Sequence, residues 1–103
     1  MKLVAVTACP TGIAHTYMAA EQLERVAKKM GFSIKVETQG AMGIENELQE
    51  EDIKEANAVI FAVGIPVQKA ERFEGKKIFE FSVQEAIKNA EGILNKVKEE
   101  IGG

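Results

Sequence analysis

A strand, a tight loop and a helix follow one another without spare residues near the start of this chain, and that order narrows the folds open to it. Lys2-Leu3-Val4-Ala5-Val6-Thr7 is short, apolar and bounded by a turn, the pattern of a central strand in a parallel sheet. Ala8 to Gly12 reads as the loop. From about Ile13 to Met30 the period becomes helical: Ile13, Tyr17, Ala20, Leu23, Ala27 and Met30 share a stripe, with Glu21, Gln22, Glu24, Arg25, Lys28 and Lys29 on the other side. Gly31 stands where a left-handed residue closes a helix.

The same alternation continues. Phe32 to Thr38 alternates apolar and polar, as expected of a second strand with one face less covered, at or near the sheet edge. Gln39-Gly40-Ala41-Met42-Gly43 reads as a loop, and Glu50 to Ala56 as a brief acidic helix resting on Ile53 and Ala56. Ala58 to Val63 is a third, wholly apolar strand, broken by Gly64 and Pro66. Ala70 to Phe73 suits a single helical turn, and Lys77 to Phe81 a fourth strand. Ser82-Val83-Gln84-Glu85 matches the capping box that opens a last helix, whose stripe of Val83, Ala86, Ile87, Ala90, Leu94, Val97 and Ile101 runs to Gly102. Strands alternating with helices imply right-handed parallel crossovers. The expectation is one domain over residues 1–103: an α/β, Rossmann-like, open four-stranded parallel sheet of order 2-1-3-4, with helices on both faces. In such a sheet a ligand sits beyond the carboxyl ends of the strands, at the switch between strands one and three. Cys9 follows strand one.

Composition narrows the partners. A net charge of −3 and a pI of about 5.2 argue against a nucleic-acid face. No run of some 20 apolar residues is long enough to span a membrane. No secretory leader is recognisable, and the single cysteine excludes an internal disulfide. These features suit the cytoplasm.

The loop suits an anion. A helix start presents unpaired N–H groups and the positive end of a dipole, which favour a phosphoryl group and the thiolate form of a nearby cysteine. Cys9 is therefore the candidate nucleophile. Gly12 permits close backbone approach, the N–H groups of Thr11, Gly12, Ile13 and Ala14 form the candidate nest, and Pro10, lacking an N–H, stiffens the turn. His15 and the hydroxyls of Thr11 and Thr16 are candidate donors. Tyrosine phosphatases place Arg and then Ser or Thr after Cys and five residues. The same count from Cys9 reaches His15 and Thr16, so the bidentate fork that steadies phosphate during hydrolysis is missing. An Asp-Pro general acid is missing too. A phosphocysteine that is held and passed on fits this inventory better than one that is hydrolysed.

Bland readings stand beside these. A lone cysteine after a buried strand is commonly an inert small apolar residue, and His15 suits capping or packing equally well. Tyr17 and Met18 read as core or core-edge residues, and the acidic run from Glu47 to Glu55 as a solvated helix face. Arg72, isolated in a loop, suits phosphate or a partner carboxylate. Gln39 and Gly40 lie where the end of strand two would line the site.

The segment Val4-Ala5-Val6-Thr7-Ala8-Cys9-Pro10-Thr11-Gly12-Ile13-Ala14-His15-Thr16-Tyr17-Met18-Ala19-Ala20 closely resembles the opening of the IIB domain of fructose-type sugar phosphotransferase systems. The likeness continues through Val36-Glu37-Thr38-Gln39-Gly40, Gly43, the acidic Glu50-Glu51-Asp52-Ile53 helix and Arg72-Phe73. It implies that Cys9 accepts phosphate from a phosphohistidine of a IIA protein. Cys9 would then pass it to fructose, or a related sugar, held by a membrane IIC permease. It implies no metal and no cofactor. Two other functions remain open on the residues alone. One is a phosphatase or arsenate reductase of the low-molecular-weight type, and the other a non-catalytic regulatory module.

Overall fold

The computed structural model describes residues 1–10, 13–41 and 43–102, apart from the side chain of Ile13. Its strands are β1 (Lys2–Ala8), β2 (Ser33–Gly40), β3 (Gly43–Glu45), β4 (Ala58–Val63) and β5 (Ile78–Phe81). Its helices are α1 (Ile13–Lys29), α2 (Glu50–Glu55), α3 (Val83–Lys88) and α4 (Ala90–Glu100), with a 3-10 turn at Ala70–Phe73. The sheet order is β3-β2-β1-β4-β5. β1, β2, β4 and β5 pair in parallel, so the anticipated four-strand core and its order hold.

Several expectations need correction. The sheet has five strands rather than four, and it is mixed: the Gln39-to-Gly43 loop is instead the tip of a hairpin. β2 extends to Gly40, and β3 returns antiparallel with Gly40 paired to Gly43. Gly43 carries a φ of +88°, which a side chain would resist and which lets the chain reverse so tightly. β3, and not β2, is therefore the edge. The last helix is also two helices. Asn89 ends α3 with its own N–H bonded to the Glu85 carbonyl at 2.7 Å, and it starts α4 with its side-chain oxygen accepting from the Gly92 N–H at 3.1 Å. The stripe of apolar residues runs through this break because both pieces pack on the same side.

Helices do cover both faces. α1, α3 and α4 pack on one, burying Leu3, Ala5, Val36 and Ile60 against Leu23, Ile93, Leu94 and Val97. α2 and the 3-10 turn cover the other, where Val4, Val6, Val59 and Phe61 meet Leu48, Ile53 and Phe73. Leu3 and Ala5 face α1 while Val4 and Val6 face α2, the alternation that a strand buried on both sides requires.

The phase of α1 differs from the anticipated stripe. Thr16, Ala19, Ala20, Leu23, Val26 and Ala27 are buried, whereas Tyr17 and Met18 are 44% and 48% exposed. They are not core residues. The Tyr17 hydroxyl donates instead to Glu45 on β3, which ties the edge strand to the first turns of α1 and is the main cause of a raised phenol pKa. Small residues at 16, 19 and 20 let α1 lie close to the sheet. The capping box at Ser82 forms as its sequence predicts: Ser82 accepts from the Glu85 N–H at 3.1 Å, and Glu85 accepts from the Ser82 N–H at 3.1 Å. No described helix is long and apolar enough to cross a membrane.

Candidate functional site

The carboxyl ends of β1, β2 and β4 lie side by side, and the candidate cysteine projects from the middle one. The ladder sets its place: Ala8 is level with Gln39 on β2 and with Val63 on β4. Cys9 comes next, 7% exposed and part of the apolar layer beneath α1. Its Sγ lies 3.7 Å from Nδ1 of His15, itself exposed, in the first turn of α1. One step deeper, the Thr7 hydroxyl donates to the Thr16 carbonyl at 3.2 Å, and Thr16 is fully buried. That bond pins the start of α1 to the end of β1, so His15 and Cys9 are held by two elements that cannot easily slide past one another.

Of the anticipated loop, Pro10 is exposed, and Ala14 is exposed in the first turn of α1. Thr11, Gly12 and the side chain of Ile13 lie outside the described residues. The Gly64 N–H donates to the Ala8 carbonyl at 2.8 Å, and a side chain on Gly64 would sit 3.0 Å from the Pro10 ring. Gly64, which breaks the strand β4, is thus also a wall of this site.

Gln39 and Arg72 do approach the same end of the sheet, but their polar groups face inward. Arg72 holds Glu37 in a two-pronged pair, with Nη1 donating to Oε1 at 2.8 Å and Nη2 to Oε2 at 3.0 Å. Glu37 is completely buried, and it also accepts from the Leu48 N–H at 2.8 Å and from Gln39 Nε2 at 2.7 Å. Gln39, 1% exposed, spans to the loop after β4, donating to the Gln68 carbonyl at 3.1 Å and accepting from its N–H at 2.8 Å. Burial pushes the Glu37 carboxyl up, but Arg72, the Leu48 N–H and Gln39 together outweigh it and leave the pKa below the ordinary value. The hydrogen bond to Glu37 in turn raises the Arg72 pKa.

Arg72 is therefore engaged by a carboxylate of its own chain, the role anticipated for a partner's. Glu37 was missed because alternation along β2 put it among outward-facing polar residues. A glutamate and a glutamine two apart on a strand share one face, and with an isolated arginine elsewhere in the chain that spacing was the available signal. Gly40 lies in the hairpin, paired with Gly43. A cavity of about 590 Å³ opens on the outer side of Arg72, lined also by Ile53, Lys54 and Lys76, and away from Cys9. No cluster of metal-ligating side chains occurs among the described residues.

Comparison with known proteins places this geometry. Residues 4–96 match the family model described as "PTS system, Lactose/Cellobiose specific IIB subunit". The chain is similar to the PTS system fructose-like EIIB component 2 of Escherichia coli (strain K12), with 50% identity over 97 residues, covering 94% of this chain and 92% of that one. Among solved structures, it resembles the Enzyme IIB subunit of the PTS system from Escherichia coli K12, at 48% identity and a TM-score of 0.93, covering 98% and 94% of the two chains. It also resembles a domain of the fructose-specific IIABC component from Borrelia burgdorferi, at 55% identity and a TM-score of 0.88, covering 92% and 90%.

Proposed function

The chain belongs to the IIB family of sugar phosphotransferase systems, and from that premise we propose that Cys9 is its phosphoryl carrier. In this reading a IIA protein brings a phosphohistidine. The Cys9 sulfur attacks phosphorus, the P–N bond breaks as the S–P bond forms, and the imidazole leaves. In the second step a hydroxyl oxygen of a sugar held by a membrane IIC permease attacks the same phosphorus. The S–P bond breaks, the thiolate returns, and the hydroxyl proton goes to solvent. The fructose-like relatives support fructose or a related hexose as that sugar. Residues 1–103 act as one IIB-like unit on the cytoplasmic side, meeting the permease without crossing the membrane.

One observation carries the reading: Cys9 sits at the carboxyl end of the central strand, just before α1, with His15 Nδ1 3.7 Å from its sulfur. The chemistry needs little more than this. A helix start favours both a thiolate and a phosphoryl group, and in this reading His15 donates to the bound phosphate. The backbone N–H groups of the loop after Pro10 and of the first turn of α1 would cradle the phosphoryl oxygens. The arginine fork of a phosphatase has no counterpart here, because Arg72 is held by Glu37. A group transferred and not hydrolysed is the outcome such a site favours.

The test is incubation with a phosphorylated IIA protein, followed by mass spectrometry to locate the phosphate. It is expected on Cys9, and Cys9→Ser is expected to abolish labelling. Phosphate on another residue, or undiminished labelling of the variant, overturns the reading. Steady hydrolysis of p-nitrophenyl phosphate would favour a phosphatase in its place.

A further inference from the structure

The buried cluster beside the site has an odd composition for a structural plug. An ion pair taken out of water loses several kcal/mol of solvation per ion, and apolar side chains of similar volume commonly hold two elements together as well or better. The distinctive contribution of a two-pronged pair is directional: it sets where its neighbours lie to within a hydrogen-bond length.

Its hydrogen bonds reach one end of a short segment whose other end meets the residues around Cys9. At the near end Gly64 bonds to the Ala8 carbonyl and lies against the Pro10 ring, with 3.0 Å left for any added carbon. At the far end Gln68 is gripped through both backbone polar groups by the Gln39 amide. The amide is oriented by Glu37, and Glu37 by Arg72. Arg72 closes the circuit by donating to the carbonyls of Lys69 at 2.8 Å and Gln68 at 3.2 Å. Lys69 is held there at a φ of +58°, in the left-handed region that a lysine seldom adopts. The whole arrangement fixes the segment 64–68 between β2 and the residue that follows Cys9.

We propose that Glu37, Gln39 and Arg72 are positioning residues for the reaction at Cys9, acting through the segment 64–68 and its contact with Pro10. The inference rests on the reading of Cys9 as phosphoryl acceptor. A nucleophile displaced by about an ångström loses up to a hundredfold in rate without any change in its own chemistry, so small shifts of this wall suffice.

The experiment is single-turnover transfer from a phosphorylated IIA protein to the intact chain, with donor concentration varied. Gln39→Met removes the amide while keeping the bulk, and Gly64→Ala crowds Pro10 directly. Ile93→Val, on the buried side of α4 against the opposite face of the sheet, serves as a destabilised control, and thermal melts confirm that each protein is folded at the assay temperature. Both site variants are expected to lower the saturating rate about tenfold, with the half-saturating donor concentration within a factor of two and the control at the wild-type rate. Wild-type rates in both variants, an equal fall in the control, or a change confined to half-saturation overturns the proposal. Wild-type phosphate on a residue other than Cys9 is a separate result, which removes the reading beneath it as well.

Discussion

On one face of the sheet α1, α3 and α4 bury a continuous apolar layer in which Ala19, Leu23, Leu94 and Val97 are wholly hidden. On the other, a six-residue helix and a single 3-10 turn cover Val4, Val6 and Phe61, and a charged pair closes the end nearest Cys9. The first face has enough helix to seal itself by area alone. The second does not, and its loops are fixed by directed bonds. Phe73 shows the join between the two methods. Its ring meets Phe61 edge-on at 5.3 Å, and the Arg72 guanidinium lies 4.9 Å from its centre. Area without direction suits a scaffold, whereas direction suits the margin of the candidate site.

That contrast breaks most sharply at Arg72. Arg72→Ala leaves a fully buried carboxylate without its cation and is expected to cost about 3–5 kcal/mol in urea unfolding. The double variant Glu37→Leu with Arg72→Met is expected to recover most of the loss, because two apolar groups leave no buried charge. A cost below about 1 kcal/mol for the single change would show that the pair does not seal this face. On the apolar face Leu23→Ala is expected to cost about 2–5 kcal/mol through lost burial and the cavity left behind. It has no repairing partner.

The smallest effect is in the pH dependence. The folded-state pKa of Glu37 lies below its ordinary value of 4.5, so the folded protein binds fewer protons there than the unfolded chain does. The contribution is complete at neutral pH and is lost as pH falls from about that value through the lower folded pKa. Glu37→Gln is therefore expected to flatten part of the acid-induced loss of stability, read as urea midpoints between neutral pH and pH 3. An unchanged slope would move the acid sensitivity to other carboxylates. Asp52 is the first to examine, since the Gln49 N–H and Lys35 also lower its pKa.

What was legible in the residues followed the strength of each local signal. The strand before Cys9, the helix after it, the turn at Ala70–Phe73 and the capping box at Ser82 are all set by neighbours a few positions apart, and the structure has them where expected. The likeness around Cys9 also pointed to the family that the comparisons show. β3 was missed because three residues cannot display an alternation, and its cause is one glycine's φ. The division of the last helix was missed because the apolar stripe continues across Asn89 while the capping lies in one side chain. Glu37 was missed for a different reason. A buried charge is decided by a partner 35 positions away, which no local pattern contains. Tyr17 faces outward for a similar reason, its hydroxyl meeting Glu45 on a strand that had not been foreseen.

The short β3 has a consequence for how such a chain behaves in crowded company. Exposed strand edges invite other chains to add themselves by backbone pairing, and the hazard grows with the length of the open edge. Here the two outermost strands are three and four residues long, while the seven- and eight-residue strands lie inside the sheet. A second strand could form only a few bonds along either border, and Lys77 and Glu80 set charge beside the β5 border. The sheet is thus poorly suited to lengthening by addition of a strand from another molecule, and its longest strands are shielded by their own neighbours.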